Sequence, residues 1–175
     1  MKTLFSIILF VSTLGISLFQ NQTIDKKASH VSFKISNLGL NTVKGTFQNM
    51  TGTFNFNPNN LENSNFDICI EATTINTGNN KRDEHLKSAD FFNVEKYLEI
   101  CFKSTSVIKH DNHYLTKGNL TILGVTKMVE IPFEFANNIF TGTFELERLD
   151  YGIGEDTGTF MVGSTAKITI TSVVN

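Results

Sequence analysis

The chain has 175 residues, 40% of them hydrophobic and 18% charged, enough for one well-formed core and too few for two domains of ordinary size. Its formal net charge is −2, with no basic stripe and no run of like charge, so nothing in it complements a phosphate backbone and nucleic acid is not an expected partner. The two cysteines fit no zinc spacing, and no metal is expected.

Residues 1–20 read as a secretory signal peptide. Lys2 gives a basic start, Leu4 to Phe19 is apolar, and Gln20-Asn21-Gln22 is polar. The apolar run falls short of the ~20 residues of a membrane span, and Ser6, Ser12, Gly15 and Ser17 interrupt it. Export would leave one domain over 21–175, periplasmic or secreted, with a charge of about −3 once Lys2 is removed.

From Ser29 onward the sequence alternates. Val31, Phe33 and Ile35 share one face of a first strand. A long second run, Val43 to Phe56, keeps Gly45 and Phe47 on one parity, then slips at Gln48-Asn49-Met50 so that Phe54 continues on the other, which predicts a bulge. After the turn Asn57-Pro58-Asn59-Asn60, Phe66, Ile68 and Ile70 alternate against Asp67, Cys69 and Glu71.

The pattern then breaks. Asn79 to Phe102 crowds Arg82, Asp83, Glu84 and His85 together, with Leu86, Phe91, Phe92 and Val94 at mixed helical spacings. This predicts one or two short helical turns with Asn80 as N-cap, forming either a site or a lid. Alternation resumes with Leu98, Ile100 and Phe102, and continues through Tyr114 to Leu123. It returns in Val129, Ile131, Phe133 and Phe135, in Ile139 to Arg148, and from about Val162 to Val173. Asn137-Asn138 reads as a two-residue hairpin turn. Eight strands with short turns, one helical insertion after the third and no βαβ rhythm imply an all-β sandwich or up-and-down barrel.

Most of the 13 Phe beyond residue 20 fall on inward parities. Such walls form either an ordinary Phe-rich core or a slot for an apolar chain. For the slot, the candidate lining is Phe33, Ile35, Phe47, Phe54, Phe66 and Ile68 from the first three strands and Leu86, Phe91 and Phe92 from the insertion. Ile100, Phe102, Phe133, Phe135, Phe144 and Leu146 complete it. Arg148 shares the inward parity of Phe144 and Leu146. An inward guanidinium needs a partner, and Asp83 or Asp90, with Arg82 nearby, would supply a salt bridge closing the barrel end; a ligand head group is the other reading.

Cys69 and Cys101 lie on outward parities of strands that flank the insertion. If those strands are antiparallel neighbours, the thiols could face each other and join after export; otherwise they remain free. Asp83, His85 and Ser88 invite a catalytic reading, but no Gly-x-Ser-x-Gly elbow occurs, and no catalytic residue is assigned. His110 and His113, in a turn, are not taken as metal ligands. Asn21, Asn49 and Asn119 begin glycosylation sequons that are short enough to arise by chance.

From about Ile24 to Val173 the chain resembles the YceI-like family of exported lipid-binding proteins. The resemblance rests on Ser29-His30-Val31-Ser32-Phe33 and Val43-Lys44-Gly45-Thr46-Phe47. Its most specific part is Lys81-Arg82-Asp83-Glu84-His85-Leu86-Lys87-Ser88 followed by Asp90-Phe91-Phe92-Asn93-Val94. Gly118-Asn119-Leu120-Thr121-Ile122 and Arg148-Leu149-Asp150-Tyr151-Gly152 add to it. Leu98 stands where the family usually has proline. The resemblance implies an extended antiparallel eight-stranded lipocalin-like barrel holding a polyprenyl or quinone tail, without enzymatic activity. No cofactor is implied beyond a bound isoprenoid lipid or quinone, and a homodimer is compatible with it. The rival readings are an enzyme acting through Asp83 and His85, and a stress-response barrel with a filled core.

Overall fold

The computed structural model describes residues 22–175; the expected signal peptide and the Asn21 sequon position lie outside them. Eight antiparallel strands run in sequence order around a closed barrel. They are β1 (His30–Asn37), β2 (Asn41–Asn55), β3 (Asn65–Asn76), β4 (Glu99–His110), β5 (His113–Ile122), β6 (Val125–Ala136), β7 (Ile139–Glu147) and β8 (Val162–Val173). One helix, α1 (Asn80–Lys87), follows β3, and a one-turn 3-10 helix, Arg148–Tyr151, follows β7.

Turn chemistry sets this up-and-down order. Leu123-Gly124 (φ 52° and 75°) and Asn137-Asn138 (φ 52° and 62°) close two-residue hairpins in which both residues are left-handed, matching the twist of the strands they join. The expected bulge in β2 is present. Its register against β3 jumps between Gln48 and Thr51, with Asn49 at φ 59°, and this slip buries Met50 and Phe54 as well as Phe47. Pro132 sits in β6 just outside its ladder with β7, which covers only Phe133 to Ala136, so no donor is needed there.

The two ends of the barrel differ. At the lower end, where β2 finishes and β3 begins, Phe54, Phe56, Phe66, Tyr114, Phe133, Phe135 and Phe140 form an aromatic plug. Phe133 and Phe140 stack at 4.4 Å, and Phe56 meets Tyr114 edge-on at 4.9 Å. Each such pair adds ~0.5–1.5 kcal/mol beyond area burial. Gln22 and Ile24 bridge to Phe54 and Val174 at this same end. The upper end is covered by α1 with the turns after it, and by the segment following Arg148.

β3 and β4 carry that upper insertion. Their register puts Asp67 opposite Lys103, Cys69 opposite Cys101 and Glu71 opposite Glu99. Cys69 and Cys101 form a disulfide with their Cα atoms 4.1 Å apart. Hydrogen bonds from Thr73 and Asn49 hold the Glu71 carboxyl below its ordinary pKa, outweighing a desolvation that pushes it up.

Candidate functional site

Between the aromatic plug and the upper cover lies a cavity of about 170 Å3 with almost wholly apolar walls. Its wall includes Phe33, Ile35, Phe47, Phe54, Phe66 and Ile68 from β1 to β3. Leu86, Phe91 and Phe92 face it from the insertion, and Ile100, Phe102, Phe144 and Leu146 from β4 and β7. Phe133 and Phe135 do not line it. Both point inward, but at the height of the plug: Phe133 packs on Phe56, Phe66 and Phe140, and Phe135 on Phe54 and Phe56. Strand parity reports the face of a residue and not its height along the barrel.

Sequence reasoning missed Met50, Ile131, Phe140, Ile168 and Ile170, which also line the cavity. Phe140 shares the parity of Phe144 and Leu146, and Ile168 and Ile170 alternate on β8, so the signal was present in the pattern. Ser172, 2% exposed and without a hydrogen-bond partner among the described residues, brings one hydroxyl to the lower wall next to Phe140.

The insertion is a flap anchored by polar contacts at its start. The N-cap is Asn79 and not Asn80: its side chain accepts from the Arg82 backbone N–H at 3.1 Å. Asp83 accepts hydrogen bonds from the Thr77 N–H (2.9 Å) and hydroxyl, while Arg82 donates to the Thr77 hydroxyl (2.8 Å) and carbonyl (3.1 Å). Both charged residues are therefore spent on the last turn of chain before α1, and neither meets Arg148. Asp83→Ala removes a buried acceptor from two donors and is expected to destabilise the protein by about 1–2 kcal/mol in urea unfolding. An unchanged midpoint would mean that this anchor contributes nothing.

The turns after α1 bring Phe91 and Phe92 down onto the barrel. Phe92 meets Phe47 edge-on at 5.3 Å, and Phe91 lies so close to Gly154 that any Cβ there would come within 2.6 Å of the ring. His85 stays on the outer side of the flap, 3.4 Å from Asp90 and edge-on to Phe91. Neither Asp83 nor His85 lines the cavity. Two positions apart on one helix, they also point in different directions.

Arg148 is 2% exposed and lines the upper cavity, but among the described residues no carboxylate pairs with it. Its guanidinium donates to five backbone carbonyls, those of Ile153, Gly154, Thr157, Val162 and Gly163, at 2.6–3.0 Å. The expected partners Asp83 and Asp90 are replaced by the chain's own loop, which curls around the cation. Burial pulls the Arg148 pKa below its ordinary value. Tyr151, buried beside it, has its pKa raised by burial and then by Asp150.

For metals, the one grouping among the described residues brings Cys69, Glu99 and Cys101 together on the outer face, and both sulfurs are committed to the disulfide. His110 and His113 lie 5.1 Å apart in the lower hairpin.

The sequence model of the YceI-like domain matches residues 22–174. A UPF0312 protein of Vibrio parahaemolyticus is 38% identical over 143 residues, covering 74% of this chain and 76% of that protein. Among solved structures, BcnA of Burkholderia cenocepacia superposes with a TM-score of 0.79 at 22% identity, over 85% of this chain and 98% of BcnA. A polyisoprenoid-binding domain from Saccharophagus degradans, implicated in plant cell wall breakdown, gives a TM-score of 0.66 at 13% identity, over 86% of this chain and 95% of that one. At these identities the two structures show a shared fold.

Proposed function

The chain belongs to the YceI-like family, and from that premise we propose that it is an exported, non-enzymatic carrier or sequestering protein for an isoprenoid lipid, held by its polyprenyl or quinone tail. The observation that carries this reading is the cavity. It is long, closed below, walled by Phe and branched aliphatic side chains, and offers one hydroxyl and one already saturated guanidinium as its polar groups. Burying an apolar chain yields ~0.8 kcal/mol per methylene-sized group, so such a wall favours an isoprenoid segment without any charged anchor. The polyisoprenoid-binding neighbour shares the fold and supports the ligand class. A core filled throughout does not match the cavity, and Asp83 and His85, on which the enzyme reading rests, do not line its wall.

Gentle purification, solvent extraction and mass spectrometry should find a stoichiometric isoprenoid. Protein that comes out empty and binds no added polyprenoid would sink the proposal. The double change Phe91→Ala/Phe92→Ala should cut retained lipid by about tenfold, since it removes two large apolar surfaces from the wall. Asp83→Asn/His85→Ala should leave it nearly unchanged, and the reverse order would revive the enzyme reading.

A further inference from the structure

The upper end of the barrel exposes apolar side chains that no packing argument accounts for. Leu40 in the β1–β2 turn is 94% exposed, and Phe160 and Met161, just before β8, are 70% and 52% exposed. The other twelve Phe among the described residues are buried or half-buried, so Phe160 stands apart from its own kind. The two tips form one protrusion. Asn37 and Leu38 both donate to the Met161 carbonyl, at 2.7 and 3.2 Å, and the Phe160 ring lies against Gly39.

Leu38 holds φ 53°, a left-handed conformation that Asn or Gly adopts at less cost, and it still presents its side chain to solvent. Immediately below the tips, Ile35 and Val162 belong to the cavity wall. The protrusion therefore stands at the unplugged end of the cavity.

A second observation, independent of the first, is electrostatic. Lys34 on β1 is directly opposite Lys44 on β2 and directly opposite Lys167 on β8, and all three are exposed on the outer face. Adjacent like charges cost stability, and although Glu145 on β7 is the other cross-strand neighbour of Lys167, among the described residues none of the three lysines has a carboxylate within ion-pair distance. The row lies four residues below the β1–β2 turn, about 13 Å along the strand. Apolar tips seated ~5–10 Å into a bilayer would bring these lysines, whose stems can reach upward, to the level of the lipid phosphates.

We infer that this end of the barrel docks on an anionic lipid bilayer, with Leu40, Phe160 and Met161 entering the acyl boundary and the Lys34–Lys44–Lys167 row facing the headgroups. The inference rests on the lipid-carrier reading for its purpose, because a carrier must meet the membrane that its cargo leaves or enters.

The test is flotation of the protein with vesicles of phosphatidylcholine alone or mixed with phosphatidylglycerol, alongside tunnel binding of a soluble fluorescent farnesyl probe. Wild type should float with the phosphatidylglycerol vesicles and lose about tenfold in binding with phosphatidylcholine alone or at high salt. Leu40→Ser/Phe160→Ser should lose vesicle binding by about tenfold while keeping the probe. Absence of flotation by wild type overturns the docking, as does equal flotation of the variant. So does a dimer that the same substitutions turn into monomers while no vesicle binding occurs. Flotation without probe binding leaves the docking in place and removes the carrier reading; probe binding without flotation does the opposite.

Discussion

Arg148→Met is expected to cost about 3–5 kcal/mol, read as a lowered urea midpoint with little change in slope. The side chain is long enough to keep the packing, so the loss isolates the five hydrogen bonds to Ile153, Gly154, Thr157, Val162 and Gly163. A domain of this size has ~5–15 kcal/mol in all. Buried carbonyls left without donors each carry a desolvation penalty of ~1–3 kcal/mol, which water entering a loosened loop partly relieves. Arg148→Lys should recover only part of the loss, because an ammonium has three donors and cannot span a planar fork. If Met is tolerated within ~0.5 kcal/mol, the loop does not depend on this cation.

Removing the disulfide is the second large effect expected. Cys69 and Cys101 are 32 residues apart, and the loop they close contains the end of β3, the whole flap and the start of β4. Chain-entropy arithmetic for a loop of that length gives about 3–4 kcal/mol lost in Cys69→Ser/Cys101→Ser or on reduction, measured as the shift in urea unfolding with and without dithiothreitol. The loss should also be local. Amide exchange in α1 should accelerate more than in β5 and β6, which the bond does not touch. Uniform acceleration would mean that the bond stabilises the barrel as a whole rather than the base of its flap.

The legible part of the fold was what strict alternation and turn residues encode. Eight strands, the β2 bulge and the insertion after β3 followed from Val31-Phe33-Ile35, from the slip at Gln48 to Met50, and from the break at Asn79. The outward parity of Cys69 and Cys101 placed them on the face where they meet, but their exact opposition depends on register, which no local pattern states. Height along the barrel is equally invisible to parity, which assigns Phe133 and Phe135 to the cavity wall although they belong to the plug.

Arg148 went astray for a different reason. A buried cation calls for a carboxylate by default, and the answer here is a loop of carbonyls whose curl is set by Gly152 and Gly154 at left-handed φ. Asp83 and Arg82 were then free to grip Thr77, a contact between neighbours in sequence that a search for distant partners overlooks.

The aromatic plug makes the barrel a blind sack and not a pipe. Whatever occupies it cannot be pushed out at the far side by the next arrival, so newcomers must wait in line. The departure of the occupant alone then sets the pace of exchange, and crowding the entrance with competitors does not hasten it. For the carrier proposed above, the holding time would then be written into the walls rather than into the demand outside.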